Sequence, residues 1–512
     1  MTKRLLAPLL VSLVTIPALA QGPESLNGLD AYVAKSMAQW QVPGLAIAVV
    51  KDGKVVLARG YGVRELGKPD KVDADTLFGI ASNTKAFTAA ALGTLVSAGK
   101  LDWDARVVDH VAAFRLDSPY VTQSITLRDL LTHRSGYCDP GAMWYTSDDN
   151  DAIERLRFQK PEYGFRAHFC YNNMMYLTAS RFIPAVTGEG WDTYVAEHLF
   201  KPLAMNRTTT TDAELAASSN AAAPHGLIDS KPEPISRYWP HNMDIDTAVG
   251  GINSSANDMS HWLQMLLANG KYNDATVVDA AIIKAMETSQ IVIPADDEIG
   301  REVRAWMPGA GFYTYGLGFF VQDYAGHILV WHAGDIDGMA SALVLIPDAQ
   351  LGIVVMTNMD HANARFGVVN WLLQSSLGVS RHDVGNDLHV AMRNDQQRAD
   401  AANNKLADTR KARSKPSLAL SEYVGKYHDN FNGDALVSIA NGGLFVRFGN
   451  PDFSGVMQHW HDNTFRVTWR KRFYGNDYAT FDVDAFGKPS QLRFESLALQ
   501  FARAEAANAD TP

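Results

Sequence analysis

The segment Phe78-Gly79-Ile80-Ala81-Ser82-Asn83-Thr84-Lys85 sets a hydroxyl and an amine three residues apart. That spacing is one helical turn, so Ser82 and Lys85 share a face wherever the segment is helical. A serine hydroxyl is a poor nucleophile at neutral pH and needs a base. A lysine one turn away supplies it when burial or neighbouring cations lower its pKa. The first turn of a helix adds unpaired N–H groups and a partial positive charge, which favour a developing oxyanion. Alone the pattern is weak, because a capping serine and a solvated lysine make it by chance. Two later segments also carry chemistry: Tyr171-Asn172-Asn173 and His332-Ala333-Gly334.

These residues need elements to hold them. Leu45 to Val50 is a buried-strand run, Lys51-Asp52-Gly53-Lys54 a turn in which Asp-Gly tolerates positive φ, and Val55 to Tyr61 the returning strand. Ser82 to Ala98 has helical periodicity, with Gly99 as its C-terminal cap. Residues 125–270 read as mostly helical with long loops; Val249-Gly250-Gly251 is a turn, and Asn257-Asp258 caps a helix through Leu267. Strands return near Gly316–Val321, Ile328–His332, Ala342–Ile346 and Leu351–Met356. Strands at both ends with helices between them predict an α+β domain whose antiparallel sheet joins chain-distant segments. Residues 381–416 are polar and lack an apolar stripe, as in an exposed helix or linker. Beyond them, over 417–506, short strands at Ala435–Ile439, Leu444–Phe448, Phe465–Trp469, Tyr478–Val483, Leu492–Glu495 and Leu497–Ala502 predict a small antiparallel β-domain or barrel.

The order Ser-x-x-Lys, Tyr-x-Asn, His-x-Gly resembles the serine β-lactamase and penicillin-binding-protein superfamily, especially its class C β-lactamase, DD-peptidase and family VIII-type esterase branch. The flanks resemble it too: Leu130-Leu131-Thr132-His133-Arg134-Ser135-Gly136, Gly250-Gly251-Ile252 and Tyr315-Gly316-Leu317-Gly318. The likeness covers roughly residues 28–375 of a hydrolase domain spanning 21–380. Tyr423-Val424-Gly425-Lys426-Tyr427 resembles the start of a lipocalin-like domain that some of these hydrolases append. The resemblance implies an antiparallel sheet flanked by helices, with a helical subdomain as one wall of the cleft.

It also implies roles. Ser82 attacks a carbonyl and is acylated, and Lys85 accepts or relays its proton. Tyr171 serves as base or passes a proton to the leaving group if cations pull its pKa below the usual ~10. Which of the two is the base stays open. Asn173 holds the Lys85 ammonium or a substrate amide. His332 and Gly334 lie on a strand edge beside the site, and the N–H of Asp335 completes the oxyanion hole with that of Ser82. Cys138 and Cys170 are brought near the cleft, where they form a disulfide or remain two buried thiols. His133 reads as structural, and Tyr137, Trp144 and Tyr145 as either pocket wall or core cover.

One departure stands out. The superfamily's third element usually reads Lys-Thr-Gly, and here His332 replaces the permanent cation and Ala333 the hydroxyl. Both changes weaken recognition of the carboxylate that β-lactams and D-Ala-D-Ala termini carry. That shifts the expectation from true β-lactamase towards esterase or peptidase activity.

Composition narrows the rest. The 512 residues are 46% hydrophobic and 20% charged, as in a folded protein of two or more units. A net charge of −10 argues against nucleic-acid binding. Two cysteines cannot make a four-ligand zinc site, and neither a His-Glu-x-x-His nor a Walker-type motif is present, so no metal and no cofactor is expected. Lys3-Arg4, the apolar run Leu5–Ile16 and Ala18-Leu19-Ala20 read as a cleavable signal peptide over 1–20, which predicts a secreted, periplasmic protein without a stable membrane anchor. The expected protein is a serine hydrolase that forms an acyl-enzyme on amide or ester bonds of small-molecule or peptide substrates. The alternative is a penicillin-type sensor that is acylated without turnover. Oligomeric state cannot be read.

Overall fold

Leu45 to Val50 explain the centre of the molecule. Ala46, Ala48 and Val50 face one hydrophobic core, while Leu45, Ile47 and Val49 face another. A strand covered on both faces has no polar side to show, which is why the run is apolar without alternation. In the computed structural model, which describes residues 26–139, 152–236, 247–296, 298–408, 410 and 414–504, this strand is β1 (Gly44–Lys51), and it turns through Asp52-Gly53 into β2 (Lys54–Gly62). The expected leader over 1–20, and Trp144 and Tyr145, lie outside the described residues.

The sheet is completed by β3 (Ile291–Val292), β4 (Tyr313–Tyr315), β5 (Phe320–Tyr324), β6 (His327–Ile336), β7 (Met339–Ile346) and β8 (Leu351–Thr357). Its order is β2-β1-β8-β7-β6-β5-β4-β3, antiparallel throughout. The pairing of Leu45 with Thr357 joins the two ends of the domain, as the strand distribution predicted. One face packs on α1 (Leu29–Gln39) and α5 (Ala364–Leu377), the other on α2 (Thr84–Ser97) and α4 (Ala256–Leu267). Helix α3 (Asn173–Ser180) belongs to the helical region beyond α2.

Local details differ from the sequence reading. Ser255 caps α4, accepting from the Asp258 N–H at 3.2 Å; Asn257 and Asp258 lie inside the helix. The strand expected at Gly316–Val321 falls mostly on the turn between β4 and β5, where Gly318 takes φ +84°; only Phe320 and Val321 are in β5.

Helix α6 (Val384–Asp408) runs 25 residues, and its residues 391–405 are all exposed. After it, eight strands from Gly425–Asp429 to Leu499–Arg503 close a barrel through the pairing of Tyr427 with Arg503. Tyr427, Val446, Phe448, Phe481, Phe494 and Phe501 fill its interior. The barrel reaches the sheet through the turn Arg472–Tyr474. Arg472 bonds Asp229 at 2.7 Å, Phe473 lies against Gly226, and the Tyr474 hydroxyl donates to Asp337 at the β6–β7 turn. Among the described residues no helix is long and apolar enough to cross a membrane.

Candidate active site

The chain approaches Ser82 through a short bridge. Phe78-Gly79 pairs with Asn253-Ser254, and the Ile80 N–H donates to Ile252 O at 2.9 Å. Ala81 then takes φ +49°, a left-handed conformation that a residue with a Cβ adopts only under constraint. Ser341 supplies part of that constraint, donating to Ile80 O at 2.6 Å and accepting from Asn83 Nδ2 at 2.8 Å. A single 3₁₀ turn, Ala81–Asn83, carries Ser82 directly into the N-terminus of α2.

Lys85 is fully buried. Its Nζ donates to Ser82 Oγ at 2.9 Å, to Asn173 Oδ1 at 2.6 Å and to Val249 O at 3.0 Å. The Val249-Gly250-Gly251 segment, a single wide helical turn, therefore gives a backbone acceptor to the lysine. The same Nζ stands 4.9 Å from the centre of the Tyr171 ring.

Tyr171 and Asn173 ride on a clasp between two segments. The Cys170 N–H donates to His133 O at 2.8 Å, the Asn172 N–H to His133 Nδ1 at 3.0 Å, and the Asp139 N–H to Tyr171 O at 2.9 Å. Cys138 and Cys170 are joined in a disulfide with Cα atoms 4.9 Å apart. Asn172, fully buried, caps α3 by accepting from the Met174 N–H at 2.8 Å. His133 stacks on Tyr171 with ring centres 4.3 Å apart and is held neutral, first by burial and then by Lys85 and His332. Tyr137 is buried in the core and its hydroxyl accepts from the Ser118 N–H, so it covers the core.

Ser82 lies close enough to the Tyr171 hydroxyl to act on its titration. The sequence reading made the base role of Tyr171 conditional on cations pulling this phenol down. Burial pushes it well above its ordinary value, with Tyr176, Asp139 and Asp335 adding to the rise and Ser82 opposing it. Tyr171 is therefore a protonated phenol in the resting site.

The third segment lies on β6. Strand β5 begins at Phe320, opposite Trp331, so residues 332–336 of β6 are paired to β7 alone. That leaves one edge of the strand open beside Ser82. A Cβ on Gly334 would stand 2.2 Å from Ile80 O and 2.9 Å from the Ser82 nitrogen, so only glycine lets the strand come this close. His332 is buried, with Nε2 3.0 Å from the Tyr315 hydroxyl and Nδ1 2.6 Å from Ala333 O. Burial, then Lys85, lowers its pKa to about 3. Its hydroxyl partner is Tyr315; the Tyr171 ring centre is 6.3 Å away.

Three residues missed in the sequence join the site. Asp139 accepts from the Asn173 N–H at 3.0 Å and also from Asn173 Nδ2. Tyr315 opens the Tyr-Gly-Leu-Gly flank, the one signal that could have found it. Arg365, on α5, grips Asp335 with two bonds of 2.8 and 2.6 Å. Nothing in the local sequence marks Asp139 or Arg365. Among the described residues no group of three or more His, Cys, Asp or Glu side chains is placed to hold a metal ion.

Comparison with known proteins agrees with this geometry. The family described as Beta-lactamase matches residues 29–377, and a domain of unknown function (DUF3471) matches 409–508. The Unguisins hydrolase ungD of Aspergillus violaceofuscus is 29% identical over 444 residues, 79% of this chain and 75% of its own length. Protein flp of Staphylococcus aureus is 28% identical over 349 residues, 66% of this chain and 64% of its own. The octameric penicillin-binding protein homologue from Pyrococcus abyssi superposes with a TM-score of 0.59 at 23% identity, covering 93% of this chain and all of that one. SurE superposes at 0.55 and 18% identity, over 94% of this chain and 99% of its own. With the family match spanning most of the chain and the fold matching at both levels, this protein belongs to the Beta-lactamase family, within the serine β-lactamase and penicillin-binding-protein superfamily.

Proposed function

We propose that the protein is a secreted hydrolase that cleaves amide or ester bonds through an acyl-enzyme on Ser82. The observation that carries the reading is the convergence on one hydroxyl: Lys85 Nζ lies 2.9 Å from Ser82 Oγ, and Tyr171 stands beside the same residue. A serine held between an amine and a phenol has both a proton acceptor and a proton donor within reach.

A protonated Tyr171 supports Lys85 as the base and Tyr171 as the proton donor. Once Lys85 has lost one of its ammonium protons to solvent, Ser82 Oγ bonds to the substrate carbonyl carbon and its proton passes to the lysine amine. The carbonyl oxygen becomes an oxyanion between the Ser82 and Asp335 N–H groups; one such donor is worth on the order of 10²–10³ in rate. As the carbon–nitrogen or carbon–oxygen bond breaks, Tyr171 gives its proton to the departing amine or alkoxide. A proton then returns from Lys85 to the tyrosinate, and both groups are ready for the water that cleaves the ester. Asn173 Oδ1 and Val249 O hold the lysine in place throughout.

The neutral His332 offers no fixed cation for a carboxylate, which favours esters and peptide-like amides over β-lactams. The test is turnover of a chromogenic ester and a chromogenic cephalosporin. Continued release beyond one equivalent supports a hydrolase. A single equivalent followed by silence supports the acylated sensor.

A further inference from the structure

Asp335 immediately follows the glycine that touches the Ser82 turn, and its carboxylate is near enough to Tyr171 to raise that phenol. Along β6, Val330 faces the α2 core and Ile336 packs against it, whereas Trp331 and Ala333 lie in the α5 core; Asp335 continues that second series. There it meets Arg365, whose side chain is 1% exposed against 25% for Asp335. The guanidinium makes both of its bonds to this one carboxylate, while its Nε atom is buried without a partner. His361 leans on the same carboxylate, with Nδ1 3.5 Å from Asp335 Oδ1.

A bidentate pair at the open edge of β6 has two consequences. The only side of it that solvent reaches is the carboxylate, so the edge presents negative charge. The arginine is neutralised and covered. A substrate lying along the edge brings the groups beside its scissile bond to Asp335.

We propose that the Asp335–Arg365 pair sets the charge selectivity of the cleft: it favours substrates carrying an ammonium or neutral group beside the scissile carbonyl and excludes those carrying a carboxylate there. The inference rests on the acyl-enzyme reading and names its substrate class. Removing the Asp335 charge uncovers a buried cation and turns the same edge into a carboxylate site. Asp335 acts here through its charge, separately from its backbone N–H.

The test uses three p-nitrophenyl esters of equal acyl length, ending in ammonium, methyl or carboxylate, and reads kcat/KM at one pH. Ser82 labelling by a fluorophosphonate is run in parallel. The wild type should disfavour the carboxylate ester by roughly tenfold or more against the ammonium ester, the scale of one like-charge contact near a surface. Asp335→Asn keeps the shape and one acceptor for Arg365, and should shift that ratio at least roughly tenfold towards the carboxylate. Asp335→Asn with Arg365→Met removes both charges and should leave no preference. An unchanged ratio in a labelled Asp335→Asn protein would overturn the proposal, as would a double variant that keeps the single variant's ratio. Failure of the wild type to label at Ser82 would instead remove the acyl-enzyme reading, and this inference with it.

Discussion

Asn173 is clamped between two charges, and Asp139 decides which way its amide faces. The Asp139 carboxylate accepts from both the backbone N–H and Nδ2 of Asn173, which leaves Oδ1 to receive the Lys85 Nζ at 2.6 Å. Without that carboxylate the amide is free to rotate and present its NH₂ to the lysine, a donor against a donor. Asp139→Ala should therefore lower kcat/KM by roughly ten- to a hundredfold, the scale of one hydrogen bond to a charged group. Asp139→Glu should recover part of it. A full-rate Asp139→Ala enzyme would contradict this positioning role.

His332 should leave no limb in the activity profile near pH 6.5, since its pKa is lowered to about 3. Its trace belongs in stability. The unfolded chain takes up a proton below about pH 6.5 and the folded chain does not, so His332 opposes folding increasingly as pH falls from about 6.5 towards 3. The slope approaches about 1.4 kcal/mol per pH unit. Denaturation of wild type and His332→Gln at pH 7 and pH 5 should show the wild type losing more stability than the variant. Equal losses would mean that the imidazole is charged in the folded protein.

Gly334→Ala places a methyl against two backbone atoms, Ile80 O and the Ser82 nitrogen, neither of which is a flexible side-chain end. The strand must move off the turn, taking the Asp335 N–H with it. The expected loss is on the order of 10²–10³ in kcat, the worth of one oxyanion donor, with circular dichroism unchanged. A loss confined to KM would place the oxyanion site elsewhere.

The barrel touches the same hairpin from outside. The Tyr474 hydroxyl donates to Asp337, whose carboxyl burial pushes up to about 6. Tyr474→Phe should cost about 1–3 kcal/mol of chemical stability, as expected for a buried acceptor left without its donor. Truncation after Lys415 should leave a soluble chain that still labels at Ser82, with altered substrate range. An insoluble product would show that the barrel covers apolar surface on the hydrolase domain.

The parts legible in sequence are those written as local patterns. The Leu45–Val50 run, the Asp52-Gly53 turn and the Gly99 cap lie within a few residues of the structure they make. Two barrel strands went unseen. Gly425–Asp429 and Ser454–His461 are poor in β-branched residues and broken by glycine, histidine and lysine, so only closure of the barrel makes strands of them. In the site, Ser82, Lys85, Tyr171 and Gly334 could be read because motif order encodes them. Asp139 and Arg365 could not, because each matters through a partner 34 or 30 residues away that only folding supplies. The condition set on Tyr171 could not be weighed in sequence for a related reason: a neighbouring cation is visible from a motif, whereas the depth at which a phenol is buried is not.

The central claim is that Ser82 is the atom acylated. Intact-protein and peptide mass spectrometry after reaction with a fluorophosphonate, or with a slow ester trapped by acid quench, reads this directly. The account predicts one adduct per chain on the peptide containing Ser82, no adduct and no turnover in Ser82→Ala, and unchanged circular dichroism in that variant. Stoichiometric labelling of Ser82→Ala, or an adduct mapped to another residue, would contradict it.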